Sequence, residues 1–213
     1  MKRTRTSLFA AVVTGVMLVA GAAVAAGGTQ NTVTDTQPVK WFSDGTDTGG
    51  YSYLTRTSGE LLLSVEAEEL IPGDAYTVWW VVFNEPDDCS EPGCGEDDIF
   101  NEDGSLNIEG VMAAKIAVGN ATANVAKANG TAEFGARLKM DDTMSDHQIL
   151  FPAGLDGGAL LTAMPSKAEV HLVFQSHGQA RGGPELLKQL TYVETGCTPF
   201  CEDVQFTIFP AMP

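Results

Sequence analysis

The residues able to do chemistry in this chain fall into three groups. Four cysteines form two close pairs, Cys89 with Cys94 and Cys197 with Cys201. Two of the three histidines, His171 and His177, share the run HLVFQSHG, and the third is His147. Between Glu85 and Asp103 stand nine carboxylates (Glu85, Asp87, Asp88, Glu91, Glu96, Asp97, Asp98, Glu102 and Asp103) without a Lys or Arg among them.

Each group suggests a chemistry and an ordinary alternative. Close cysteine pairs in an exported chain read first as disulfides. Four cysteines allow three pairings, and two local bridges are the expected one. Each would close a ring smaller than the 15-residue loop whose closure is worth about 3 kcal/mol, so such bridges pin loops rather than a whole fold. A four-thiolate metal centre would favour CxxC spacing over the C-x4-C and C-x3-C present. Crowded carboxylates repel unless water, salt or a cation screens them. Hard oxygen ligands in a loop suit Ca²⁺, which makes Asp97, Asp98 and Asp103 candidate calcium ligands. The segment NEDGSLN nevertheless places Gly104 fourth, where an EF-hand loop needs Gly sixth. A solvated acidic loop is the competing reading. His171 and His177 could hold copper or zinc with a nearby carboxylate, against the plainer reading of one strand-surface and one loop imidazole. No GxSxG, HExxH or phosphate loop occurs, so no catalytic residue is assigned and the chain reads as a non-enzymatic binding or structural module, with a metal-dependent enzyme or redox protein using His171 and His177 as the rival.

The start of the chain gives an address. Lys2, Arg3 and Arg5 precede an apolar run from Leu8 to about Ala20, and small residues Ala22, Ala23, Ala25 and Ala26 close it. That is the layout of a secretory signal cleaved after Ala25 or Ala26, and it places the protein in the periplasm or outside the cell. No membrane span is expected after cleavage. With residues 1–26 removed, the 12 basic residues fall to 9 against the same 28 acidic ones, and the net charge moves from −16 to −19. A body so acidic repels phosphate backbones, which argues against nucleic acid. Its partner is expected to be an extracellular ligand or protein.

The elements that must carry these groups read as strands. The remaining 187 residues suit a single domain, placed at 41–213 behind a Gly-, Thr- and Gln-rich flexible lead-in at 27–40. Leu61, Leu63, Val65 and Ala67 alternate with Ser64, Glu66 and Glu68, as a half-buried strand requires. Ile71-Pro72-Gly73-Asp74 is a turn. The run AYTVWWVVFN (75–84) offers no polar face and reads as a central strand covered on both sides, with Trp79, Val81 and Phe83 opposite Tyr76, Val78, Trp80 and Val82; an exposed aromatic surface for sugars or partners is the alternative. Small-residue strands are expected at 111–118 and 121–126, divided by Gly119-Asn120, with helix as the alternative that the Ala content of 112–126 leaves open. A hairpin turn at 128–130 leads into a strand at 131–138. The stretch 140–167 reads as a long loop, 169–175 as a strand with Glu169 outward, 184–189 as a helical turn begun by Pro184, and 190–194 and 204–209 as strands. The expected fold is an all-β antiparallel sandwich, with a partly open barrel as the alternative. If the Trp strand and the last strand run antiparallel, the loops of Cys89 and Cys201 share one end.

The motif PGDAYTVWWVVFN followed by EP-x-x-C and a second Cys, with GTAEFGARL, EVHLVFQSHG and VQFTIF, resembles a family of uncharacterised secreted bacterial proteins over about residues 52–209. That resemblance implies no activity and carries over no site residue. The segment GELLLSVEAEELIPGDAYTV is also similar to the hairpins of chordin-type (CHRD) β-sandwich domains, although Trp79 and Trp80 stand where that domain's His-rich continuation would fall.

Overall fold

A computed structural model describes residues 32–91, 93–143, 148–155, 158–192 and 201–213. The expected signal at 1–26, His147 and Cys197 lie outside the described residues. Nine strands and two short helices follow one another: β1 (Val33–Trp41), β2 (Asp47–Arg56), β3 (Glu60–Ala67), β4 (Asp74–Phe83), α1 (Ile108–Ala113), β5 (Ile116–Val125), β6 (Ala132–Lys139), β7 (Ile149–Phe151), β8 (Glu169–Gln179), α2 (Pro184–Thr191) and β9 (Glu202–Phe209). All pairings are antiparallel, and the strands form one sheet in the order β6-β3-β2-β1-β9-β8-β4-β5-β7. The sheet curls into a half-barrel, so the fold is all-β and takes the partly open barrel form. At the open side Asn124 Nδ2 reaches the Glu133 carbonyl at 2.8 Å, a side-chain bond in place of a ladder.

Strand β4 is buried along its whole length because it lies between two cores. Tyr76, Val78, Trp80 and Val82 enter the half-barrel with Leu54, Leu63, Leu172 and Phe174. Trp79, Val81 and Phe83 face outward beneath the excursion 84–115 and pack with Ile99, Val111, Ile116 and Phe151. Complete burial on both faces is what a run without polar alternation demands.

Several expected elements take a different form. Residues 33–40 of the expected lead-in belong to β1, where only Val39 is fully buried. Its backbone pairs with β2 along most of its length, so hydrogen bonding holds it in place with little apolar signal. Residues 108–113 form α1, whose first turn is capped by Asn107 Oδ1 accepting from the Gly110 amide. Strand β5 then runs uninterrupted through Gly119-Asn120. Gly119 serves close packing there, since a Cβ would meet Leu160 Cδ1 at 2.9 Å. The turn at 128–130 forms, with Lys127 N donating to the Thr131 carbonyl at 2.8 Å, but β6 pairs with β3 and has no ladder with β5. Leu190 and Thr191 end α2, and residues 193–194 lie outside the described part. Because β4 and β9 both run antiparallel to β8, they are parallel to each other. Cys89 and Cys201 therefore sit at opposite ends of the sheet.

Candidate functional site

The outer face of β4, β8 and β9 carries a cavity of about 490 Å³. Its floor is Trp79 and Val81 from β4, His171 and Val173 from β8, and Phe206 and Ile208 from β9. Alternation places all six on the sheet face away from the main core. One wall is the loop Cys94–Phe100, and Phe42 stands across from it, its ring edge-on to Phe206 at 5.7 Å.

The loop wall is fixed by a short chain of contacts. Cys89 and Cys94 are joined, as expected, with Cα atoms 5.4 Å apart. Asp98 lies just beyond and is buried, its two carboxylate oxygens accepting from Ser90 N at 2.7 Å and Gly95 N at 2.9 Å. From the sheet side, Glu169 Oε1 accepts from Cys94 N at 3.0 Å and pairs with His171 Nε2 at 2.8 Å. Glu169, expected to face water, is thus buried: its carboxylate ties the disulfide loop to β8. The His171 imidazole also packs on Phe83, ring centres 4.8 Å apart.

Gln175 and Asp203 place polar groups at one end of the cavity. Gln175 Nε2 donates to Asp203 Oδ1 at 3.0 Å, and Gln175 Oε1 is buried without a hydrogen-bond partner. Desolvation raises the Asp203 pKa, the Gln175 amide opposes the rise, and the nearby Glu96 charge adds to it. The residue as a whole is exposed, so solvent screens part of this effect.

The structure separates the other expected ligands. His171 and His177 lie on the same strand six residues apart, roughly 20 Å at a rise of about 3.3 Å per residue. A single ion at about 2 Å from each imidazole nitrogen cannot span that gap. His177 is fully buried; its Nε2 lies 2.9 Å from Thr77 Oγ1, which also accepts from Trp79 Nε1 at 2.9 Å. Its Nδ1 lies 3.6 Å from the sulfur of Cys201, itself disulfide-bonded. Asp97 and Asp103 are exposed. Asp103 accepts from the hydroxyl and then the backbone amide of Ser105, which holds its pKa below the usual carboxylate range. Only Asp98 turns inward. Among the described residues the metal-type ligand atoms gathered within 4.8 Å of one another are those of Cys89, Cys94 and Asp98. Their sulfurs are bonded to each other rather than free as thiolates, and both Asp98 oxygens serve backbone amides, so this cluster is a staple.

Comparison with protein-family models, with curated proteins and with solved structures gives no match. The site therefore rests on its own geometry. Gln175 and Asp203 were not singled out by sequence motifs, because each belongs to a strand whose pattern reports burial rather than chemistry. The unusual signal lay in β8 and β9 together, where Gln175 and Asp203 face each other across a register shift. That partnership has no trace in local spacing.

Proposed function

We propose that the chain is an exported, non-enzymatic binding module whose ligand lodges between the outer face of β4-β8-β9 and the disulfide loop. The single observation behind this reading is the cavity of about 490 Å³, walled by aromatic and branched side chains with polar groups at one end. Small-molecule sites are of this kind: concave, mostly apolar, about 300–1,000 Å³, with few polar groups. Its rigidity supports the same reading, since the loop wall is held by a covalent bridge and two buried carboxylates. Preorganised walls lower the ordering cost of binding. The leader-like N-terminus and the disulfide-bonded cysteines support an oxidising compartment outside the cytoplasm. No helix among the described residues is long and apolar enough to cross a membrane.

Calorimetric titration with a neutral aryl alcohol, 4-phenylbutan-1-ol, tests the site. Saturable binding is expected in the native protein. Val173→Trp, which fills the floor, should abolish it while leaving the far-ultraviolet circular dichroism unchanged. No saturable binding up to the solubility of the alcohol overturns the proposal.

A further inference from the structure

Resting on that binding reading, we infer that the cavity selects an organic cation, an ammonium group on an apolar body, over neutral and anionic molecules of the same skeleton. The charged carboxyl groups lining the cavity are Glu96 and Asp203, and among the described residues no Lys or Arg lines it. The two carboxylates feel each other's charge. A cation placed between them relieves that repulsion, and an anion adds to it.

The hydrogen-bonding inventory points the same way by a separate route. Gln175 spends its amide donor on Asp203, and its carbonyl oxygen is buried with no donor to meet it. With the Gln175 donor spent, what this end of the cavity offers is the carboxylate acceptors of Glu96 and Asp203. An ammonium group is the complement, with three donors and no acceptor. The aromatic walls favour the same guest, since Trp79, Phe42 and Phe206 line the cavity and ring faces attract cations within about 6 Å of their centres. The excess of 28 acidic over 12 basic residues draws cations to the molecule from a distance.

Three probes sharing one skeleton decide the matter: 4-phenylbutylamine, 4-phenylbutan-1-ol and 4-phenylbutyrate, titrated calorimetrically at neutral pH into the full mature protein. The amine should bind about tenfold or more tighter than the alcohol, and the carboxylate should bind weakest. The double variant E96Q/D203N should bring amine and alcohol within about threefold of each other, mainly by weakening the amine. An amine no tighter than the alcohol overturns this inference while the binding reading stands. So does an advantage that survives in the double variant. If neither amine nor alcohol binds, the cavity is not a ligand site and both fall. A native circular dichroism spectrum in the double variant guards against misfolding, and Asp203→Asn alone gives a second, milder substitution with the same expected direction.

Discussion

At the scale of single residues, the most consequential group outside the cavity is Arg56. It is buried on β2, yet its guanidinium meets four backbone carbonyls: Pro165 at 2.5 Å, Ala168 at 2.8 Å, Pro210 at 3.0 Å and Phe209 at 3.3 Å. Asp35 supplies a counter-charge at 3.4 Å. Burial lowers the Arg56 pKa and Asp35 opposes the fall, but a guanidinium stays charged throughout the physiological range. Replacing it with Leu strands those carbonyls and should cost about 3–5 kcal/mol, read from urea unfolding. Lys should not rescue, because an ammonium cannot fork to several carbonyls at once. Asp203 makes the opposite prediction. Its folded-state pKa is raised, so ionisation costs stability once the pH exceeds the ordinary carboxylate value, and the cost grows until the folded group is fully ionised. Asp203→Asn should therefore raise the melting temperature at pH 7. It should leave it unchanged below the carboxylate range, where the native side chain is already protonated. Equal melting temperatures at pH 7 would show that the carboxylate is solvated. Neither role was legible from sequence: no element was assigned over 47–56, and what makes Arg56 internal is the return of the chain more than a hundred positions later.

At the scale of elements, legibility followed how local the cause was. Strands β3, β4 and β8 could be read because their periodicity is a property of their own residues, as was the Pro184 start of α2. Strand β1 was hidden because its place is set by backbone pairing with β2 and buries little apolar surface. The Ala-rich stretch before β5 was misassigned because Ala suits helix and buried strand alike; the Asn107 cap decided for helix over 108–113. The disulfide pairing Cys89–Cys94 was readable from proximity, but its purpose was not. The loop stands as a cavity wall because Asp98 and Glu169 hold its backbone from two sides. Changing both cysteines to Ser should cost about 2 kcal/mol for so short a ring, with a larger proportional loss of 4-phenylbutan-1-ol binding. Asp98→Asn keeps the disulfide and the size of the side chain but sets an amide N–H against a backbone N–H. It should cost about 1–3 kcal/mol and mobilise the same wall. Hydrogen exchange at Ser90 and Gly95 checks it, and unchanged protection there would show the staple to be dispensable.

At the scale of the whole molecule, the sheet has a seam. Strands β6-β3-β2-β1 form one half and β9-β8-β4-β5-β7 the other, and between β1 and β9 only Lys40 and Trp41 are in register. Beyond that short ladder side chains stitch the halves: Ser52 to Thr207 at 3.1 Å, Gln205 Nε2 to the Glu68 carbonyl at 2.8 Å, and Arg56 to the end of β9. The narrow seam explains why alternation alone suggested two facing sheets, since the halves do present apolar faces to each other across one core. That core draws Leu54, Leu61 and Leu63 from one half and Val78, Trp80 and Leu172 from the other. Neither half can bury its face alone, so the seam should not divide unfolding into two steps. Leu63→Ala, made entirely within the first half, should lower stability by about 2–5 kcal/mol. Because the core is shared, in a Trp41→Phe background the near-ultraviolet signal of the β4 tryptophans in the second half and the far-ultraviolet signal of all strands should shift to lower urea together and remain coincident. Two separated transitions, with the tryptophan signal unmoved by Leu63→Ala, would mean that each half folds on its own and that the cavity face does not depend on the half-barrel behind it.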